Sequence, residues 1–324
     1  MKIESGVMDM GFAVLGLAVS LFVASLAACQ PPDRDQTQDS ASETAAESPS
    51  DAHLVEVTAV DYAFQAPAEI PSGWTTFRMK NEGQEEHFLL LNRLPNGKTF
   101  EDYQREVAAP FDSVWHSLNA GSIDKAEAGR RLGSLLPDWY LSSVKQMGGP
   151  GLVAPGGISQ ASAKLDPGTY VIECYVKSPD GEFHSSLGMV RPMTVTDASS
   201  GVPAPQADLE MTLSNYDIAI EEEVTPGEHT VAVHFEEHPE VGLGNDVHLV
   251  RLEHDTDVDE VVQWMGWMNL DGLQAPAPAE FLGGTQEMPV GHTAYFTVDV
   301  EPGRYLWISE STAEMGMLKE FTVE

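Results

Sequence analysis

The sequence predicts an all-β protein made of two tandem Greek-key β-sandwiches, the first carrying a helical insertion. Three observations carry that expectation. Apolar residues alternate along short segments divided by Pro/Gly turns, one order of landmarks occurs twice, and helix-like spacing is concentrated in one stretch.

The first copy opens with "VTAVDYAFQAPAEIPSGWTTFRMKN" and the second with "MTLSNYDIAIEEEVTPGEHTVAVHF". Each holds alternating strands, a Tyr and a turn. Next come "EEHFLLLNRL" and "NDVHLVRLEH", each with a His at the start of an apolar strand. Pro167-Gly168 and Pro302-Gly303 mark turns that feed Tyr-containing strands, "GTYVIECYV" and "GRYLWISES". The copies close on "GMVRPMTV" and "GMLKEFTV". This repeated order reads as an internal duplication. It places one domain at 53–198, a Pro-rich linker "SSGVPAPQA" at 199–207 and a second domain at 208–324. In the first copy, "KTFEDYQREVAAPFDSVWHSL" and the residues up to Met147 space apolar positions three and four apart, so helices are expected there. The second copy has a shorter counterpart, "DTDVDEVVQWMGWM".

The 324 residues include 51 acidic and 17 basic ones, a formal net charge of −34. Such a surface repels phosphate backbones, which excludes nucleic acid and bare anionic membrane as partners. Residues 1–29 end an apolar run in Leu26-Ala27-Ala28-Cys29, which resembles the lipobox of bacterial lipoproteins. That resemblance implies cleavage before Cys29 and lipid on its thiol, hence a membrane partner through the anchor. Lys2 shares the preceding segment with Glu4 and Asp9, and an uncleaved anchor is the alternative. Either way the bulk of the chain is extracytoplasmic. Residues 30–52, "QPPDRDQTQDSASETAAESPSDA", are too polar to bury a core and read as a tether.

With Cys29 lipidated, Cys174 has no disulfide partner. A lone cysteine on a core strand is commonly a small buried hydrophobe. Its surroundings point elsewhere. His184 and Met189 follow in the pattern C-x9-H-x4-M, and His87 stands upstream in "NEGQEEHFLLL". A thiolate, two imidazoles and a distant thioether form the donor set of a blue copper site. The arrangement resembles the cupredoxin family. The residues that carry the likeness are Asn81, Gly83 and His87 after a strand, then Pro167, Gly168, Tyr170 and Cys174, then His184, Gly188 and Met189. The resemblance implies a cupredoxin-like fold for both copies. It also implies one type 1 copper in the first, with His87, Cys174 and His184 as equatorial ligands and Met189 as the long axial one. The nine-residue loop between Cys174 and His184 is longer than in most small cupredoxins.

In the second copy His248 is read as the match of His87 and Met317 as that of Met189. Ser309 replaces Cys174 and no histidine follows it, so no second copper site is expected. Glu173 and Tyr175 flank Cys174, no His-x-His pair occurs, and no Ser-His-Asp, Walker or zinc signature is present, so no enzyme is expected. The implied task is one-electron transfer or copper handling, with a basic redox protein such as a c-type cytochrome as partner. The alternative is a metal-free binding or structural module of the cell envelope.

Overall fold

The computed structural model describes residues 53–240 and 243–324. The expected signal peptide, Cys29 and the acidic tether lie outside the described residues. No helix among those described is long and apolar enough to cross a membrane.

The first half starts with β1 (Leu54–Val60), β2 (Ala63–Gln65), β3 (Glu69–Asn81) and β4 (Leu90–Arg93). Helices follow: α1 (Phe100–Tyr103), a π turn (Gln104–Ala108), α2 (Ala109–Asn119), α3 (Lys125–Leu135) and α4 (Asp138–Ser143). Then come β5 (Lys145–Gln146), β6 (Ile158–Leu165), β7 (Gly168–Glu173), the single turn α5 (His184–Leu187) and β8 (Val190–Ser199). The second half holds β9 (Leu209–Ser214), β10 (Asp217–Ile220), β11 (Gly227–Phe235), β12 (Val247–Leu252), α6 (Val258–Met265), β13 (Glu280–Thr285), β14 (Thr293–Val300), β15 (Gly303–Ile308) and β16 (Leu318–Val323).

Alternation builds the outer strands. In β1, Val55, Val57 and Ala59 point into the core, and in β9 Leu209, Met211 and Leu213 do the same. β7 and β15 are apolar on both faces because insertion helices or loops cover their outer side, and they read as continuous runs. The helical insertion begins at a capping box, Thr99 with Asp102, and α3 begins at Asp124, whose carboxylate accepts from Glu127 N.

Both halves use the same pairing scheme. β1 runs parallel to β3, as β9 does to β11, and each carries an antiparallel neighbour, β2 or β10. β3 pairs with β6 as β11 pairs with β14. In the facing sheet β4–β7–β8 corresponds to β12–β15–β16. The Tyr170 hydroxyl donates to Asp166 O at 2.9 Å, and Tyr305 repeats the bond to Glu301 O at 2.8 Å.

The halves are joined through both layers. β14 pairs with β6 through Tyr295–Ser162, Phe296–Ala161 and Thr297–Gln160. In the other layer residues 147–153 lie between β4 and β13: Leu89 N and Leu91 N donate to Pro150 O and Gly148 O, while Gly151 N donates to Gly284 O and Gln286 N to Gly149 O. Gly149 (φ +124°) makes this close approach possible, since a Cβ there would overlap the Leu89 carbonyl oxygen.

The seam also buries acid. Glu173 and Glu310 are buried and Glu287 partly so. Burial is the main cause that raises all three carboxyls, Glu287 to about 7, with Asp246 adding repulsion at Glu287 and Glu310.

Two measurements test this account. Gly149→Ala should lower the unfolding free energy by roughly 2–4 kcal/mol. Gly129→Ala, inside α3 with open space at the Cβ position, should raise it by about 0.5–1 kcal/mol. Carboxyls whose folded pKa is raised contribute stability below their unfolded pKa and lose it as pH rises through the folded value. These carboxyls favour pH 5 over pH 8, while buried His87 and His184, held below their ordinary values, favour pH 8. Glu287→Gln should therefore gain melting temperature at pH 8 relative to pH 5 when compared with the parent, and an unchanged difference contradicts the assignment.

Candidate metal centre

Four segments meet at one end of the first half. After β3, Asn81 organises the connection to β4. Its Nδ2 donates to Glu85 O (2.8 Å) and Val153 O (3.1 Å), and its Oδ1 accepts from Gly83 N (2.9 Å). This turn presents Glu85 and His87. β7 ends in Glu173, and Cys174 follows on the inward face. The chain then loops out and returns in α5, where His184 N donates to Val176 O at 2.8 Å. Met189 closes the turn. Its N–H donates to His184 O (2.8 Å) and its carbonyl accepts from Cys174 N (3.1 Å), so three of the sequence-predicted residues are tied by backbone.

The side chains of His87, Cys174 and His184 converge and are fully buried, as is Met189. The two Nδ1 atoms are 3.1 Å apart, and Cys174 Sγ stands 3.6 Å from His184 Nδ1 and 3.9 Å from His87 Nδ1. Among the described residues this is the one group of three His, Cys, Asp or Glu donors lying within 4.8 Å of one another.

The outer nitrogens decide the tautomers. His87 Nε2 lies 2.8 Å from Asp61 Oδ1, and His184 Nε2 lies 2.8 Å from Glu85 Oε2. A carboxylate accepts, so each Nε2 carries the proton and each Nδ1 turns a lone pair inward. Both carboxylates are held in turn: Asp61 Oδ2 accepts from Gln84 N (2.8 Å) and Glu85 Oε1 from the Tyr62 hydroxyl (3.0 Å). Gly83 leaves room for this, since a Cβ there would overlap the Asp61 carboxylate and stand 2.8 Å from His87 Nε2.

Burial disfavours charge on every donor. It pushes His87 below its ordinary value against the pull of Asp61, and it takes His184 down to about 2, with His87 adding to the effect. It pushes the Cys174 thiol up to about 12, although the Phe88 and Val176 amides favour the thiolate. Two unprotonated nitrogens thus face each other and a sulfur in a dry site. Separations of 3.1–3.9 Å suit donors standing about 2.0–2.3 Å from one shared first-row ion. Ring N–H groups bonded to carboxylates are the usual outer support of metal-bound histidine. A soft thiolate with two imidazoles selects copper or zinc, so the donor set fits copper.

The insertion and the second half clamp the loop that carries His184. Trp115 Nε1 donates to Gly181 O (2.9 Å), and the Trp115 and Phe183 rings pack 4.5 Å apart. Lys177 is fully buried; its Nζ donates to the carbonyls of Trp267 (3.0 Å) and Asn269 (2.5 Å) and lies 4.6 Å from the Trp115 ring centre.

The second half differs from the sequence expectation in one respect. The β4–β7 register sets Leu90 opposite Glu173, and the β12–β15 register sets His248 opposite Ile308. Glu173 precedes Cys174 and Ile308 precedes Ser309, so His248 corresponds to Leu90. The counterpart of His87 is Asn245. Met317 does correspond to Met189, because Ser309 N donates to Met317 O (3.2 Å) and Met317 N to Thr312 O (3.2 Å), which puts Thr312 where His184 stands. Asp246 accepts from Ser309 Oγ (2.9 Å), Glu310 N (2.7 Å) and His248 Nε2 (2.9 Å), and Thr312 Oγ1 donates to Met317 Sδ. Hydrogen bonds occupy that place instead of converging donors.

Asp61, Glu85 and Tyr62 are the functional residues that motif reading misses. In the metal-free folded chain Cys174 should resist iodoacetamide at pH 8 and react only after unfolding. Prompt labelling of the folded chain would contradict the buried, protonated thiol.

No protein-family model and no curated protein matches the sequence. Among solved structures the chain is similar to a dithionite-reduced auracyanin from Roseiflexus castenholzii, at 22% identity over 45% of this chain and 98% of that one, with a TM-score of 0.25. It is similar to auracyanin A, a "blue" copper protein from Chloroflexus aurantiacus, at 17% identity over 44% and 98%, with a TM-score of 0.27. A multicopper oxidase matches at 13% identity over 84% of this chain and 88% of that one, with a TM-score of 0.22.

Proposed function

We propose that this chain holds one copper ion through His87, Cys174 and His184, with Met189 as a weak fourth donor, and serves as an extracytoplasmic one-electron carrier. The observation that supports it is the pair of inward Nδ1 lone pairs beside a buried thiol, each ring fixed from outside by a carboxylate. Bound copper would supply one-electron exchange between its two oxidation states. The chain's own part is to exclude water and to keep the donors still. Asn81 fixes the His87 turn, Asp61 and Glu85 fix the ring orientations, and the clamped 176–188 loop fixes His184. Binding exchanges the thiol proton for the ion, so affinity should rise with pH.

The remaining parts of the reading extend beyond the centre. Residues 53–198 would form the copper domain and 208–324 a cupredoxin-like partner domain without copper, joined by 199–207. Cys29 would carry lipid and hold the protein on a bacterial membrane, the periplasmic or outer face. The −34 net charge favours a basic redox partner such as a c-type cytochrome, with an association rate that falls as salt rises.

Reconstitution of the full chain with Cu(II) should give intense thiolate-to-copper absorption and one copper per chain. Cys174→Ser should abolish the colour while the chain stays folded. Asp61→Ala should weaken copper binding about 10–100-fold. Absence of both uptake and colour would leave the metal-free envelope module as the reading, and two or more coppers per chain would point to an enzyme.

A further inference from the structure

A cavity of about 120 Å³ lies at the seam between the halves, beneath the helical insertion and on the far side of β7 from the metal centre. Strand alternation explains its position: Cys174 points to the centre, while Glu173 and Tyr175 point into the cavity. Its volume approaches that of an engineered pocket of about 150 Å³ that takes benzene, so a guest of a few heavy atoms fits.

The walls combine aromatic rings with unmatched polar atoms. Tyr103, Tyr175 and Trp267 line it. Glu310, Asn92 and Gln286 also line it, exposed by 3%, 1% and 1%. Glu310 Oε1, Asn92 Oδ1 and Gln286 Nε2 have no hydrogen-bond partner among the described residues. Buried polar atoms are almost always satisfied, and three orphans around one cavity call for a guest. Glu310 Oε2 already accepts from the Tyr175 hydroxyl (3.1 Å), and each Glu173 oxygen already accepts one bond, from Asn92 Nδ2 (2.7 Å) and from the Tyr103 hydroxyl (2.8 Å). Lys177, the basic side chain that bears on Glu310, spends its N–H groups on the carbonyls of Trp267 and Asn269.

Charge and spacing select the guest. Burial, then the neighbouring Asp246 and Glu287, push the Glu310 carboxyl up, and a cation in the cavity would hold it ionised. A metal ion is unsuited, because among the described residues no three acidic oxygens converge within 4.8 Å. Asn92 Oδ1, and Glu310 Oε1 once ionised, require N–H donors, which a quaternary ammonium lacks. The orphan donor on Gln286 suits a hydroxyl oxygen.

We propose that the cavity binds a small primary amine carrying a hydroxyl group, its ammonium held by Glu310 and Asn92 against the rings of Tyr103, Tyr175 and Trp267. The ammonium gains from the aromatic faces as well as from the carboxylate. The site stands independently of copper, and its guest requires none.

The test is calorimetric titration of the full chain with 2-aminoethanol. Saturable binding of one molecule per chain is expected, with tetramethylammonium weaker by about tenfold or more because it offers no N–H. Glu310→Gln keeps the shape and removes the charge, and it should weaken 2-aminoethanol by a similar factor. Ala108→Leu, on the lining wall, should block binding by filling space without altering any charge. Glu127→Gln, on α3 and outside the cavity lining, should bind as the parent does. Failure of the parent chain to saturate at millimolar 2-aminoethanol overturns the proposal. So does equal affinity in Glu310→Gln, or equal affinity for tetramethylammonium.

Discussion

Two imidazole nitrogens without protons, 3.1 Å apart and closed off from water, repel each other, and much of the first half is arranged to keep them there. The Asn81 turn, the carboxylates of Asp61 and Glu85, and the Met189 backbone each remove one way for the rings to turn apart. The helical insertion and the 267–275 segment close the remaining side. His184 is fully buried as a result, and its outer nitrogen bonds Glu85, whose side chain is 12% exposed. Donors held in place in this way would need little rearrangement if a bound ion changed its oxidation state.

Much of this architecture was legible in the chain. Alternation marked β1, β3, β9 and β11, and Pro-Gly marked the entries to β7 and β15. The spacing of Cys174, His184 and Met189 pointed to residues that the fold ties together within a few ångströms of backbone. Three things were not legible, each for a physical reason. The carboxylates at 61 and 85 are two among 51 acidic residues, and nothing local distinguishes a ring-holding acid from a solvated one. The phase of β12 is hidden because its buried positions do not alternate, so the motif sets His248 rather than Asn245 against His87; Arg93 and Arg251, which coincide on the observed register, are the signal that fixes it. The strand-like run at 147–153 is written in Gly and Pro, and its extended form comes from partners on both sides rather than from propensity.

The second half shows what the same frame does without soft donors. Asp246, Ser309 and His248 close a hydrogen-bonded group around the equivalent position, and His248 Nδ1 accepts from Leu152 N across the seam at 3.1 Å. A residue that the sequence sets against the His87 position therefore works as a fastener between halves. The retained Met317 has a local partner in Thr312, so its presence carries no information about metal.

The shared layers have a consequence for any fragment of this molecule. Cutting the chain in the 199–207 segment would strip β14 from β6 and β13 from the 147–153 run, leaving two open backbone borders on the amino-terminal piece. Bare borders of that sort recruit strands from other molecules, and the nearest supplier is another identical fragment. Isolated amino-terminal pieces would tend to polymerise edge to edge, and the carboxy-terminal half acts in this sense as a built-in cap against fibre growth.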